Sequence, residues 1–173
     1  DLDGNGFQDV ILGSYSKVYA LNFDGTPLNG WANINAYASF SKPAVEDVDS
    51  DGQFEVFISD AGSIKAWNHD GTILEGWPKE LEFPYYTSPT IADLNNDGDY
   101  EIIISAWDGK IYVWNHDGTN FDGWPITFHE DPQVAIPSPA VADLDNDGLK
   151  EIIMGYGNGT IYAWHNDGTS VNG

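Results

Sequence analysis

The chain has no cysteine, which rules out disulfide staples and thiolate metal sites but leaves the compartment open, because exported proteins also do without Cys. Basic residues are scarce too. Six Lys plus Arg stand against 28 Asp plus Glu, a formal charge of −22, which argues against nucleic acid and anionic membrane surfaces as partners and for a cation. No apolar run reaches the roughly 18 to 20 residues that span a bilayer, and no signal peptide is visible at Asp1. The absence of an initiator Met suggests a mature or excised segment. No stretch has a helical period. What is present, 41% apolar and 14% aromatic residues in a chain of 173, is enough for one folded domain.

The sequence repeats. DLDGNGFQDVIL from Asp1, DVDSDGQFEVFI from Asp47, DLNNDGDYEIII from Asp93 and DLDNDGLKEIIM from Asp143 align at spacings of 46, 46 and 50 residues. Each is followed by a second block, VYALNFDGT, IKAWNHDGT, IYVWNHDGT or IYAWHNDGT, and then by a Gly-Trp pair at Trp31, Trp77 and Trp124. A period in the range of roughly 20 to 50 residues signals a solenoid, propeller or other array. The approximate units are 1–42, 43–88, 89–138 and 139–173, with the first and last incomplete.

Within a unit the signals are those of short strands. VILG, VFIS, IIIS and IIMG are brief β-branched runs, and VYAL, IKAW, IYVW and IYAW follow after a tight turn, which predicts a hairpin. The Asp-Gly pairs at 24/25, 70/71, 117/118 and 167/168 predict a further turn, since Gly readily takes a positive φ. A third strand is expected to end at the Gly-Trp pair. The Pro-Ala-Val or Pro-Thr-Ile segment supplies a fourth, with Pro at its start, where a missing N–H is tolerated. The expected fold is therefore all-β: tandem four-stranded antiparallel blades of β-propeller type, about 3.5 of them, forming a partial propeller or an open or assembled array.

The acidic segments match the calcium loop D-x-[DN]-x-[DN]-G, with oxygen ligands at positions 1, 3 and 5, Gly at 6 and a carboxylate at 9. The side-chain ligands are Asp1, Asp3, Asn5 and Asp9; Asp47, Asp49, Asp51 and Glu55; Asp93, Asn95, Asp97 and Glu101; and Asp143, Asp145, Asp147 and Glu151. The position-7 carbonyls of Phe7, Gln53, Asp99 and Leu149 complete each set. Position 12, a bidentate Glu in the helical EF-hand, is Leu12, Ile58, Ile104 or Met154, so the position-9 carboxylate must serve instead. About four Ca²⁺, one per loop, are expected. Mg²⁺ fits less well, because it resists dehydration. Fourfold recurrence favours this reading over turns that merely solvate hairpin ends.

With the small residue that closes each strand, Gly13, Ser59, Ser105 or Gly155, these loops resemble the FG-GAP or VCBS-type repeats of integrin-α-like β-propellers. The resemblance covers essentially the whole chain. It implies a structural calcium ion in each blade loop and a secreted or surface-exposed protein.

The recurrence of Trp67, Trp114 and Trp164 at one strand position, where unit 1 has Leu21, and of Trp31, Trp77 and Trp124 at another favours packing between adjacent units over ligand contact. Trp107, in the turn SAWDGK, is a candidate for stacking on a sugar ring. The variable links nominate Tyr37, Phe40, Tyr85, Tyr86, Phe128 and His129 as a ligand surface. His129, Glu130 and Asp131 form the non-repeated polar cluster that catalysis would require, whereas His69 and His116 read as turn chemistry. The chain has no nucleophile elbow or phosphate loop.

The expectation is a non-catalytic, calcium-stabilised extracellular or cell-surface module for adhesion, recognition or assembly. Its partners would be calcium and either further copies of itself, joined head to tail into filaments through unpaired edges, or surface glycans and proteins. The alternative is a carbohydrate-binding or accessory propeller of a secreted polysaccharide-degrading enzyme.

Overall fold

β-branched residues favour extended backbone and glycines reverse it, and this alternation builds every element of the computed structural model, which describes residues 1–32, 34–36, 41–81, 87–128, 137–157 and 159–171. Blade 1 holds β1 (Val10–Gly13), β2 (Lys17–Leu21) and β3 (Ile34–Asn35). Blade 2 holds β4 (Ala44–Glu46), β5 (Glu55–Ser59), β6 (Ser63–Trp67) and β7 (Lys79–Glu80), and blade 3 holds β8 (Thr90–Ala92), β9 (Glu101–Ala106), β10 (Lys110–Trp114) and β11 (Ile126–Thr127). In blade 4 the strands are β12 (Ala140–Ala142), β13 (Glu151–Gly155) and β14 (Ile161–Trp164). Every pairing is antiparallel and strand order follows chain order, giving two four-stranded and two three-stranded sheets. The all-β array of blades holds.

The central hairpin keeps one register throughout. Val10 faces Leu21, Val56 faces Trp67, Ile102 faces Trp114 and Ile152 faces Trp164.

The third strand differs from expectation. Between the Asp-Gly turn and the Gly-Trp pair the chain forms one bridge per blade, Leu21 with Pro27, Trp67 with Ile73, Trp114 with Asn120 and Trp164 with Ser170. The outer strands β3, β7 and β11 come after the Gly-Trp pair. Local hydrogen bonding explains the change. Asp70 Oδ1 accepts from both the N–H (2.9 Å) and the Oγ1 (2.6 Å) of Thr72, and Trp77 N–H then closes a second turn on Leu74 O at 3.2 Å. Two turns in succession leave no room for a ladder.

The Gly-Trp pair joins one blade to the next. The indole N–H of Trp31 donates to His69 O (2.8 Å), that of Trp77 to His116 O (3.0 Å) and that of Trp124 to Asn166 O (2.7 Å). Gly76, at φ 83°, lies so close to the neighbouring turn that a Cβ would sit 2.0 Å from Asp117 O. Apolar side chains fill the rest of each joint. Val18, Ala20, Leu28 and Trp31 of blade 1 pack with Val56, Ile58 and Trp67 of blade 2. Ile64, Ala66 and Trp77 meet Ile102, Ile104 and Trp114 in the next joint, and Ile111, Val113 and Trp124 meet Ile152, Met154 and Trp164 in the last. The core is thus a series of seams between blades rather than a single centre.

Candidate metal centre

Each acidic loop leads into the second strand position of its blade, at β1, β5, β9 or β13, and Gly at position 6 gives it its curl. Gly6, Gly52, Gly98 and Gly148 have φ of 90°, 88°, 97° and 95°, where a side chain is strained. Position 4 is left-handed as well. Gly4, Ser50, Asn96 and Asn146 have φ of 70°, 59°, 58° and 61°. Sequence reasoning overlooked this position, although its run of Gly, Ser, Asn and Asn was a usable signal, since Asn tolerates that region better than most residues.

Backbone N–H groups then hold an oxygen of each ligand side chain, and at Asp1 and Asp143 both, where Asn5 and Asn146 N–H donate to Oδ1 at 2.9 and 2.7 Å. Gly6 N–H donates to Asp1 Oδ2 (2.6 Å), and Gly52, Gly98 and Gly148 donate to Asp47, Asp93 and Asp143 in the same way at 3.0, 3.2 and 3.1 Å. Position 5 donates to position 3 in every loop: Asn5 to Asp3, Asp51 to Asp49, Asp97 to Asn95 and Asp147 to Asp145. The position-7 N–H groups of Phe7, Gln53, Asp99 and Leu149 donate to Asn5, Asp51, Asp97 and Asp147 at 2.8, 2.8, 2.9 and 2.8 Å. Position 9 is fixed from the other side, as Leu2, Val48, Leu94 and Leu144 N–H donate to Asp9, Glu55, Glu101 and Glu151 at 2.7, 3.1, 2.7 and 2.7 Å. The side-chain ligands read from the sequence thus all have oxygens held within curled loops by backbone hydrogen bonds.

Those oxygens gather. Asp1, Asp3 and Asp9 place ligand atoms within 4.8 Å of one another, as do Asp47, Asp49 and Glu55, and Asp143, Asp145 and Asp147. Loop 3 has Asn95 at position 3, so an amide oxygen takes the carboxylate's place. Among the described residues, Asp9 Oδ1, Asp47 Oδ1 and Asp93 Oδ1 are buried without a hydrogen-bond partner. A buried polar atom left unpaired costs about 1 to 3 kcal/mol, more if charged, a cost that a cation held in these clusters would offset.

Electrostatics reinforces this. Glu55 and Glu101 are 3% and 1% exposed. Burial pushes the Glu55 carboxyl up to about 7 against the hydrogen bond from Val48, and the charges of Asp49, Asp51 and Asp47 raise it further. Glu101 is likewise pushed up to about 7 by burial, opposed by the Leu94 hydrogen bond and assisted by Asp97, Asp93 and Asp99. An oxygen cage of this type suits a hard divalent cation.

Loop 4 adds a nitrogen. His165 Nδ1 lies 3.2 Å from Glu151 Oε1, where the other units carry Asn22, Asn68 and Asn115. The loops also touch their neighbours. Ser50 Oγ donates to Gly98 O at 3.0 Å and the Asn96 amide donates to Gly148 O, so position 4 of one loop grips the Gly of the next.

Of the proposed ligand surface, Trp107 is partly buried and packs against the seam between blades 3 and 4, as does Phe128. Tyr37, Phe40, Tyr85, Tyr86, His129, Glu130 and Asp131 lie outside the described residues. No described helix is long and apolar enough to cross a membrane, which leaves membrane β-barrels unaddressed.

The family model of the FG-GAP-like repeat matches residues 47–104 and 93–154. No curated protein sequence matches the chain. Among solved structures, the V. cholerae biofilm matrix protein Bap1 superposes with a TM-score of 0.63 at 20% identity, over 100% of this chain and 38% of that one. BBS1N, crystallised in complex with ARL6DN, gives a TM-score of 0.59 at 14% identity, over 95% of this chain and 46% of that one. At these identities the likeness shows the fold, and the chain spans less than half of either protein.

Proposed function

The chain belongs to the FG-GAP-like repeat family, and from that premise we propose that it is a non-catalytic repeat module of an extracellular matrix or cell surface, stabilised by calcium in its four acidic loops. The buried, unpartnered carboxylate oxygens Asp9 Oδ1, Asp47 Oδ1 and Asp93 Oδ1 carry this reading. The ligands are Asp1, Asp3, Asn5 and Asp9 in loop 1, Asp47, Asp49, Asp51 and Glu55 in loop 2, and their counterparts in loops 3 and 4. When bound, calcium supplies positive charge and takes six to eight oxygens.

The role assigned to calcium is structural. Each loop sits at the start of a central strand, and its position-9 carboxylate opens that strand at Glu55, Glu101 and Glu151. Neutralising that carboxylate stabilises the strand that fills the seam. Such sites in extracellular modules have Kd of about 10⁻⁴ to 10⁻³ M, which matches the millimolar calcium outside cells. Likeness to a biofilm matrix protein supports a matrix setting, although it rests on fold alone.

Thermal melting in millimolar calcium and in EDTA tests the proposal. At tenfold excess over Kd each site adds roughly 1.4 kcal/mol, or about 3 to 6 °C in a domain of this size. An identical melt in EDTA rules the reading out.

A further inference from the structure

Two sets of hydrogen bonds run from one acidic loop to the next. The first passes through buried backbone. Val48 N–H donates to Glu55 at 3.1 Å, and the Val48 carbonyl accepts from Tyr100 N–H at 3.0 Å. Tyr100 precedes Glu101, whose carboxylate accepts from Leu94 N–H at 2.7 Å, and the Leu94 carbonyl accepts from Lys150 N–H at 3.2 Å. Lys150 in turn precedes Glu151, which accepts from Leu144 N–H at 2.7 Å. The position-9 carboxylates of loops 2, 3 and 4 are thereby strung on one relay. Val48 and Leu94, which link them, are 1% and 0% exposed, so water does not compete for these bonds.

The second set crosses the loop tips. Ser50 Oγ donates to Gly98 O at 3.0 Å, and the Asn96 amide donates to Gly148 O. Gly98 and Gly148 are the residues whose N–H groups hold Asp93 and Asp143. Lys150 Nζ reaches back to Asp93 O at 2.7 Å. Loop 1 has Gly4 at position 4, which offers no side chain for this grip on loop 2.

We propose that loops 2, 3 and 4 take up their cations as one cooperative unit, in which occupancy of loop 3 raises the affinity of loops 2 and 4. This coupling presupposes the calcium reading of the loops. A loop must be ordered before its oxygens converge, and part of that ordering falls on peptide groups shared with its neighbours. Glu101 held on a cation fixes the Tyr100 and Leu94 peptides, and these hold Val48 on one side and Lys150 on the other. The neighbouring loops then bind with part of their ordering already done. Charge does not oppose this. Loop 3 carries Asp93, Asp97 and Glu101, and loops 2 and 4 carry four carboxylates each, so a divalent cation leaves every loop negative. The effect is reciprocal between loops.

A calcium titration of the isotope-labelled chain, followed by nitrogen–proton correlation spectra, tests this loop by loop. Gly6, Gly52, Gly98 and Gly148 each donate to the position-1 carboxylate of their own loop, so their signals report the four sites separately. Glu101→Gln weakens ligation in loop 3 while keeping an acceptor for Leu94 N–H. In that variant the midpoints read at Gly52 and Gly148 should rise about 5-fold or more, and the one at Gly6 should move least. Asn96→Gly keeps the left-handed backbone but removes the amide from Gly148 O, and it should raise the midpoints at Gly98 and Gly148 together. Midpoints at Gly52 and Gly148 that stay unchanged in both variants overturn the coupling and leave the calcium reading standing. An equal shift at all four glycines overturns it too, since that reports a general loss of stability. Four glycine signals that do not move in millimolar calcium overturn the calcium reading and the coupling with it.

Discussion

Glu101→Gln tests the loops most sharply, because it should act in opposite directions with and without calcium. The Glu101 carboxyl is 1% exposed and pushed from its ordinary 4.5 up to about 7, chiefly by burial and further by Asp97, Asp93 and Asp99. A group whose folded pKa is raised stabilises the fold fully below its unfolded value and loses that contribution as pH rises through its folded value. The metal-free protein should therefore weaken between about pH 4.5 and 7, and at pH 8 the cost reaches about 3 kcal/mol for this one side chain. Glutamine keeps the shape and an oxygen to accept the 2.7 Å hydrogen bond from Leu94 N–H, but it cannot ionise. In EDTA at pH 8 the variant should melt higher than the natural protein by roughly 6 to 12 °C, and its advantage should disappear near pH 4.5. In millimolar calcium the order should reverse, because the natural carboxylate is then a ligand and the amide is a poorer one. Melting curves followed by far-UV circular dichroism across this pH range decide the matter. Equal destabilisation by the substitution in EDTA and in calcium would refute the reasoning, since it would mean the carboxylate is held by contacts that do not depend on its charge.

Two further outcomes follow from the joints and from the ladder of loops. Gly76→Ala should cost more than the 1 to 2 kcal/mol of a left-handed alanine, because its Cβ would lie 2.0 Å from Asp117 O and would force blades 2 and 3 apart. Chemical denaturation reads the loss, with Gly62→Ala, which meets nothing within 4 Å, as the control of small effect. Asn96→Ala removes both the hydrogen bond to Gly148 O and the tolerance of φ 58° in loop 3. It should cost about 1.5 to 3 kcal/mol and weaken calcium binding in loops 3 and 4 together, which isothermal titration would register as two affected sites instead of one.

Much of the site was legible because its logic is local. Alternate oxygens with a glycine at position 6 need only seven to nine consecutive residues to be recognised, and Asp47 to Glu55 or Asp143 to Glu151 supply them without help from the rest of the chain. The third strand was misread for the opposite reason: Asp70 and Thr72 bind each other so closely that one turn runs into another, and the apolar residues between carry no trace of it. His165 beside Glu151 was also invisible, since the 14 positions that separate them are bridged only when β13 and β14 pair.

The sequence by itself determined the repeat, the antiparallel hairpins, the Asp-Gly turns and the curled acidic loops, because each depends on backbone preferences and spacings within a dozen residues. Only the tertiary structure decided that each Gly-Trp indole N–H closes on the turn of the next blade and that position 4 links neighbouring loops. Those features are contacts between residues 38 to 52 positions apart, such as Trp31 with His69 and Asn96 with Gly148. A local pattern records what a residue prefers for itself, and it takes the stacking of blade on blade to establish what that residue meets.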